Sequence, residues 1–226
     1  MATDPDIVES PSYRKAYEDV DFLNRDELRS VRLQLELLKA DLVQRENRIA
    51  STIVVFGSAR IPEPGAARAA LAEAEAAAAG APGDREAALA LARARRAAAN
   101  SRYYEEAREL GRIVSSEAQR NGDREFVVVT GGGPGIMEAA NRGAHDVGAK
   151  SVGLNIVLPH EQEPNPFVTP DLCFRFRYFA IRKMHFLMRA RALVAFPGGY
   201  GTLDELFETL TLIHTGKVPP VPVVLV

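Results

Sequence analysis

The chain has 226 residues, of which 46% are hydrophobic and 26% are charged, and its formal net charge is −2. This length and composition are typical of one globular α/β domain with short additions, and near-neutral charge argues against non-specific nucleic-acid binding. A single cysteine, Cys173, excludes an intramolecular disulfide and fits a reducing compartment. No apolar leader is visible at the N-terminus, and no apolar run approaches the ~20 residues that span a bilayer. We therefore expect a soluble, cytoplasmic protein without nucleic-acid or membrane partners.

Residues 1–50 are predicted to form an arm and a helix that precede the main domain. The first 24 residues are polar without a clear period, which predicts an extended arm. Over residues 26–49 the apolar residues recur at alternating spacings of three and four, which predicts a helix with a narrow apolar seam. Either this helix lies across the domain or it joins two copies of the chain. The seam consists of Leu28, Val31, Leu35, Leu38, Leu42 and Ile49.

The main domain is predicted over residues 51–226, and its first strand is the β-branched stretch 51–56. Ligands bind beyond the carboxyl ends of strands in open parallel sheets, so Ser58, just after this strand, is a candidate contact for a phosphate or ribose. The alanine-rich stretch at about 62–100 predicts an inserted helical hairpin or a partly mobile excursion. We identify no chemistry in this insert. A helix predicted over 103–119 returns the chain to the sheet.

A run of glycines follows the second predicted strand, residues 126–130, and a helical pattern continues after it. In such a unit, bare backbone amides can approach an anion. Glu138, in the first helical turn, either contacts the ligand or only favours the helix dipole. The motif is not a dinucleotide fingerprint, because Ile136 stands where that pattern needs glycine, and no P-loop motif occurs. The candidate ligand-binding glycines are Gly132, Gly133 and Gly135.

Residues 151–157 predict a third strand, 159–170 a surface loop, and 174–178 a short strand or an extended rim. A helix predicted over 179–191 carries Arg182 and Lys183, each of which is either a ligand contact or a solvated helix charge. The four histidines are too scattered for metal-ligand spacing and are interpreted as surface or packing residues, so we expect no metal site. They are His145, His160, His185 and His214.

A second strand–glycine–helix unit spans residues 192–210. Its helical pattern predicts an inward apolar face, and Thr202 is predicted to be the N-cap. Glu205 falls in the predicted first turn, where an acid would repel a phosphate, so we expect its carboxylate to face the sugar of a nucleotide. The predicted inward face consists of Leu203, Leu206, Phe207 and Leu210. The predicted phosphate cradle consists of Gly198, Gly199, Gly201 and Thr202.

The apolar residues 218–226 predict a fifth strand, and since no helix follows it we expect the natural chain to continue. Alternating strands and helices predict an α/β fold with a doubly wound, Rossmann-like parallel sheet. With the strand order 3-2-1-4-5, the loops that follow the first, second and fourth strands meet at the switch point. The sequence thus predicts a crevice of mononucleotide size.

Three segments resemble the LOG ("Lonely Guy") family of cytokinin riboside 5′-monophosphate phosphoribohydrolases, often mislabelled lysine decarboxylases. They are GGGPGIME at 131–138, the pair Arg182-Lys183, and PGGYGTLDE at 197–205, which matches the family motif P-G-G-x-G-T-x-x-E at every fixed position. The resemblance covers about residues 51–226, and the N-terminal helix and insert are similar to those of long-form members. It implies nucleoside 5′-monophosphate hydrolysis without a cofactor, with Arg182 and Glu205 catalytic, Glu138 in the substrate site, and a homodimer or larger assembly.

Two alternatives belong to other functional classes. A noncatalytic module that binds a nucleotide or the molybdenum cofactor would use the same glycine loops, but it would not need Arg182 and Glu205. A lysine decarboxylase would need a Schiff-base lysine for pyridoxal phosphate and an acidic partner for the ring nitrogen. No lysine of this chain has that context, so we favour the hydrolase.

Overall fold

A computed structural model describes residues 5–119, 124–158 and 163–226. Its centre is a six-stranded parallel sheet in the order β4-β3-β2-β1-β5-β6. The predicted doubly wound α/β class is therefore confirmed. The strands are β1 (Thr52–Phe56), β2 (Val127–Thr130), β3 (Ser151–Ile156), β4 (Cys173–Phe176), β5 (Ala190–Ala195) and β6 (Val223–Leu225).

The five strands predicted from the sequence lie in the predicted order. The alternating rim residues form the additional edge strand β4, which pairs in parallel with β3. Strand β1 lies between β2 and β5, so successive strands are added first on one side of β1 and then on the other. In doubly wound sheets, the ligand crevice opens at this reversal of strand order.

Helices cover both faces of the sheet. Within residues 5–24, the described part of the predicted extended arm, the chain instead forms two short α-helices and a 3₁₀ turn, Pro11–Tyr13. A second 3₁₀ turn, Asp26–Leu28, leads into α3. Within the described ranges the α-helices are α1 (Pro5–Val8), α2 (Val20–Leu23), α3 (Arg29–Glu46), α4 (Pro64–Gly80), α5 (Arg85–Asn100), α6 (Arg102–Ala118), α7 (Ile136–Asp146), α8 (Phe179–Met188) and α9 (Tyr200–His214).

The sheet separates two apolar cores. Successive strand side chains point to opposite faces, so Val54 enters one core with residues of α3, α8 and α9, and Val55 enters the other with residues of α6 and α7. Helices α6 and α7 pack closely because each has a glycine at the contact. A Cβ atom on Gly111 would overlap the carbonyl of Ala140, and one on Gly143 would overlap the carbonyl of Arg108.

Helix α3 lies across the domain, which was one of the two predicted interpretations, but most of the predicted seam does not face the core; of its residues only Ile49, which follows α3, is a buried core residue. Leu33, Leu37 and Val43 pack against the core instead, together with the buried Ala40. Four seam residues are between 37% and 51% exposed: Val31, Leu35, Leu38 and Leu42. Apolar spacing alone therefore identified the helix but not its inward side.

Polar contacts with the ends of α8 set the orientation of α3. The Glu36 carboxylate accepts hydrogen bonds from the backbone N–H groups of Arg177 (2.8 Å) and Tyr178 (3.2 Å), where α8 begins. Near the other end of α8, Arg189 Nη2 donates to Asp41 Oδ1 at 2.6 Å. These contacts hold α3 along the helix that carries Arg182.

The predicted insert is a helical hairpin. Helix α4 ends at Gly80, α5 begins at Arg85, and within these two helices only Ala67 is buried. The predicted loop at 159–170 falls partly outside the described residues, since 159–162, including His160, are not described. No helix in the described part of the chain is both long enough and apolar enough to cross a membrane.

Candidate active site

The loop after β1 joins the two glycine loops at the carboxyl edge of the sheet. The Ser58 N–H donates to the carbonyl of Pro197 at 3.0 Å, and the Ile136 N–H donates to the carbonyl of Ser58 at 3.1 Å. Gly135 has φ +72°, and a Cβ there would overlap the Ser58 carbonyl. The structure thus brings the three predicted loops together, although the Ser58 hydroxyl already accepts a hydrogen bond from the Arg60 N–H at 3.1 Å.

The first glycine loop, residues 131–135, is largely buried and held from outside by Asn165. The Asn165 N–H donates to the Gly132 carbonyl at 2.8 Å, and its side-chain amide donates to the Gly133 carbonyl at 3.0 Å. The Gly132 N–H donates to Thr130 Oγ1 at 2.9 Å. The amide of Gly132 is therefore used within the loop. Sequence reasoning missed Asn165, whose only local signal is a position between two prolines.

The second glycine loop is exposed, and the helix after it begins earlier than predicted. Gly199 is the N-cap and Tyr200 the first residue of α9. The prediction of Thr202 as N-cap is therefore wrong; Thr202 is the third helical residue, and its side chain lies over Gly198, where a Cβ would overlap it. Gly198, Gly199 and Gly201 are exposed, and a Cβ on Gly199 or Gly201 would meet no atom within 4 Å.

The early start of α9 changes which of its faces points inward. Glu205 lies in the second turn rather than the first and is only 8% exposed. Leu206 is buried as predicted. The other three residues of the predicted inward face point outward instead, and the buried positions also include polar residues. The outward residues are Leu203, Phe207 and Leu210, and the buried polar residues are Thr202, Glu205 and Thr209.

The inward carboxylate faces a buried guanidinium. Arg182 Nη1 lies 3.8 Å from Glu205 Oε1, and the two side chains are 13% and 10% exposed. Arg182 Nε donates to the Leu154 carbonyl at 2.6 Å, and the guanidinium carbon lies 5.0 Å from the centre of the Phe186 ring. A Cβ on Gly131 would be 2.7 Å from Arg182 Nη2, so the first glycine loop passes directly beside this pair.

Burial controls the protonation of both groups. It raises the pKa of the Glu205 carboxyl to about 7, although the positive charges of Arg182 and Lys183 oppose this shift. Burial also lowers the pKa of Arg182, and the charge of Glu205 opposes that shift. Near neutral pH the Glu205 carboxyl is thus close to half ionised, the state in which a side chain can both accept and donate a proton.

Lys183 extends from α8 towards α9. Its Nζ lies 2.8 Å from Asp204 Oδ2 and 2.7 Å from Glu208 Oε2. Burial opposes charge on Lys183, but hydrogen bonds to the two acids outweigh it and raise the lysine pKa. In the described structure Lys183 is an ion-pair partner of α9, and its predicted role in substrate binding stays a prediction.

Glu138 is the third residue of α7 and accepts a hydrogen bond at Oε1 from the Tyr104 hydroxyl at 2.7 Å. The sequence contains no indication of this contact, because a tyrosine on a helix does not reveal a hydrogen-bond partner 34 residues later. Tyr104 is 1% exposed.

The histidines described lie apart. His145 packs edge-on to Phe167, and His185 is buried beside Phe176, where burial and the charge of Arg189 lower its pKa. His214 is the last residue of α9. Within residues 5–119, 124–158 and 163–226, no cluster of three histidine, cysteine, aspartate or glutamate side chains could hold a metal ion.

A parallel doubly wound sheet with two glycine loops at its switch point defines a Rossmann-like α/β protein. Residues 137–226 match a family model described as "Possible lysine decarboxylase". The cytokinin riboside 5′-monophosphate phosphoribohydrolase LOG3 of Arabidopsis thaliana is 33% identical over 121 residues, 51% of each chain. The corresponding LOG enzyme of Oryza sativa subsp. japonica is 33% identical over 118 residues, 50% of this chain and 44% of the enzyme. These matches confirm the predicted resemblance to the LOG family, and the chain spans about half the length of these relatives.

Among solved structures, the molybdenum cofactor binding protein from the phototrophic bacterium Rippkaea orientalis is 25% identical with a TM-score of 0.40. The match covers 54% of this chain and 66% of that protein.

Proposed function

We propose that this protein hydrolyses the N-glycosidic bond of a nucleoside 5′-monophosphate to free base and ribose 5-phosphate. The observation that carries the proposal is the buried Arg182–Glu205 pair beside the converging glycine loops. The matched relatives are named for this reaction on cytokinin riboside 5′-monophosphates. We propose that class of substrate, or a related AMP-like nucleotide, for this chain.

In the proposed reaction, the oxygen of a water molecule bonds to C1′ of the ribose as the bond from C1′ to the base nitrogen breaks. The bonding electron pair leaves with the base, whose nitrogen takes up one proton from the solvent, and positive charge develops on the sugar. The ionised Glu205 carboxylate stabilises this charge and accepts the proton of the attacking water. The pKa of about 7 supports this assignment, because a base of that strength is partly ionised at neutral pH and still takes up a proton.

Arg182 supplies the positive charge of the site. The Leu154 carbonyl and the Phe186 ring fix the direction of its guanidinium before any ligand binds. The guanidinium either assists the departing base or binds the phosphate, and in both cases it favours the ionised form of Glu205. Replacement of Arg182 by Gln distinguishes the two roles, because loss of a phosphate contact raises KM whereas loss of leaving-group assistance lowers kcat.

The exposed second glycine loop is the better supported of the two predicted phosphate contacts. Gly199 and Gly201 have open space around them, and Thr202 lies in the first turn of α9, where unpaired helical amides attract anions. Ser58 and the first loop adjoin this position through the Pro197 and Ile136 contacts. We propose that Gly133 and Gly135 line the opposite wall of the crevice.

We also propose that the protein forms a homodimer or larger homo-oligomer. The support is the outward face of α9, where Tyr200 is 93% exposed and Phe207 61% exposed. This face lines an open cavity of about 510 Å³ together with Lys183, Asp204 and Glu208. Light scattering of Phe207→Glu should give a lower mass than the wild type, whereas Leu89→Glu, on the exposed insert, should leave the mass unchanged. Equal masses for all three proteins would contradict the assembly proposed through α9.

The decisive experiment measures release of free base from AMP, other 5′-monophosphates and isopentenyladenosine monophosphate. Glu205→Gln should lower kcat by about 100-fold or more, and the exposed neighbour Asp204→Asn is the matched control with a small expected effect. Wild-type kcat/KM should rise with pH to a plateau above about pH 7, as the free enzyme's base ionises. Tight nucleotide binding without cleavage by the wild type would instead identify the noncatalytic binding module.

A further inference from the structure

A chain of four polar side chains runs behind Glu138. Arg142 Nη1 lies 3.1 Å from Glu63 Oε2 and donates to the Tyr104 hydroxyl oxygen at 3.5 Å. The Tyr104 hydroxyl in turn donates to Glu138 Oε1 at 2.7 Å. This series of polar contacts therefore leads from Glu63 and Arg142, through the buried Tyr104 hydroxyl, to the Glu138 carboxylate in the first turn of α7.

The donor direction at the phenol follows from its surroundings. Burial and the hydrogen bond to Glu138 raise the pKa of Tyr104 to about 12, so the hydroxyl keeps its proton at neutral pH. Arg142 has only N–H donors and occupies the acceptor side of the hydroxyl oxygen. The hydroxyl proton is therefore directed to Glu138, and a charge-assisted hydrogen bond of this kind is among the stronger ones in proteins.

The position of Glu138 makes this contact relevant to the crevice. Helix α7 begins at Ile136, whose N–H donates to the Ser58 carbonyl. Met137, the residue directly before Glu138, lies beside Gly131 together with Arg182. Tyr104 bonds one of the two carboxylate oxygens of Glu138. The other oxygen is the natural acceptor for a ligand hydroxyl.

The same polar chain ties the helical insert to the site. Glu63 directly precedes α4, the first helix of the insert, and Tyr104 is the third residue of α6, the helix that follows the insert. Both ends of the exposed hairpin are thus bonded to α7 through Arg142 and Glu138.

We propose that Tyr104 is a positioning residue, whose hydroxyl, held by Arg142 and Glu63, fixes the Glu138 carboxylate for a hydroxyl of the substrate. This inference rests on the proposed function, because it needs a nucleotide in the crevice. It assigns to the ends of the insert a role in the geometry of the site.

The test compares Tyr104→Phe with Tyr103→Phe. Both variants lose a single phenolic oxygen, but in the described structure the Tyr103 hydroxyl accepts its hydrogen bond from the exposed Arg102, away from Glu138. For base release from AMP, we expect Tyr104→Phe to lower kcat/KM by about 10-fold, mainly through KM. Tyr103→Phe should behave as the wild type. AMP binding by calorimetry should weaken in parallel in Tyr104→Phe alone.

A double-mutant cycle separates positioning from a general loss of structure. In a Glu138→Ala background, Tyr104→Phe should cause no further loss, because the group that it positions is absent. If Tyr104→Phe folds poorly, the partly exposed Arg142→Gln replaces it in the cycle, with a smaller loss expected in the same direction.

Three results would overturn the inference. A Tyr104→Phe enzyme equal to the wild type, or a loss that adds in full to that of Glu138→Ala, refutes positioning while the proposed function stands. A wild-type protein that neither binds nor cleaves any nucleotide refutes both, since Glu138 would then have no substrate hydroxyl to meet.

Discussion

The two strand–glycine–helix units of this protein follow one pattern in sequence but differ in what they bury. Helix α7, after the first glycine loop, buries apolar residues such as Ile136 and Ala140, and its loop is covered by Asn165. Helix α9, after the second loop, buries Thr202, Glu205 and Thr209 and exposes Phe207. The first loop is largely buried and the second is exposed.

The second unit therefore buries an ionisable side chain that the first unit does not. Burying a carboxylate costs free energy unless a cation compensates for it, and Arg182 at 3.8 Å compensates only in part. The residual cost is visible in the raised pKa of Glu205. Perturbed groups of this kind cluster at functional sites, whereas the residues that α7 buries include no ionisable side chain.

The largest effect that we expect comes from the close contact between α6 and α7. Gly143→Ala should destabilise the protein by about 3 kcal/mol, because the added methyl group would overlap the backbone carbonyl of Arg108 and rigid backbone cannot move aside cheaply. The measurement is the free energy of unfolding in urea. A decrease of less than about 1 kcal/mol in the free energy of unfolding would show that the contact between α6 and α7 is not tightly packed.

The next effect tests the buried carboxylate of α9 through its pH dependence. Because the pKa of Glu205 is about 7 in the folded protein and its ordinary value is 4.5, the folded protein binds this proton more tightly than the unfolded chain. The associated stability is therefore present below the unfolded pKa and is lost as pH rises through about 7. Relative to Glu205→Gln, the wild type should lose about 2.5 kcal/mol of unfolding free energy between about pH 5 and pH 8.

Parallel pH profiles of stability for the wild type and Glu205→Gln would contradict the claim that α9 buries a carboxylate with a raised pKa, since Glu205 would then be an ordinary ionised side chain. A matched control is Asp204→Asn on the same helix. Asp204 has a side chain that is 61% exposed, so its replacement should leave the slope of the profile nearly unchanged.

The smallest effect concerns the open second loop. A Cβ on Gly201 meets no atom within 4 Å, so Gly201→Ala should leave the fold intact and add about 0.5 kcal/mol of stability through helix propensity. Base release should nevertheless fall by about 10-fold if the Gly201 amide approaches a phosphate. Unchanged activity would limit the phosphate contacts to other residues of the loop.

Much of the fold could be predicted from local patterns. The buried strands are short β-branched or apolar runs, and each glycine run falls directly after a strand. Parallel strands followed from the regular strand–helix alternation, and the strand order 3-2-1-4-5, which was assumed for the sequence argument, is the order of these five strands in the structure. The pairing of Arg182 with Glu205 was implied by family motifs and is matched by their proximity in the structure, while their catalytic role stays a prediction.

Helix orientation was the feature that local patterns could not decide. In α9 the apolar stripe was predicted to face the core, and in α3 it was predicted either to lie on the domain or to join two copies of the chain; in both helices most of the stripe is exposed. An apolar stripe shows that a helix has one face suited to burial, but not whether the sheet or another surface covers it. For α3 the deciding contacts are polar and come from distant residues, as with Asp41 and Arg189.

The sequence by itself determined the parallel sheet and the two glycine turns, because each depends on residues close together in the chain. Only the tertiary structure decided the burial of Glu205, the bracing of the first loop by Asn165 and the contact of Tyr104 with Glu138. These features join residues far apart in sequence, and their energies come from desolvation and hydrogen bonding that exist only once the chain has packed.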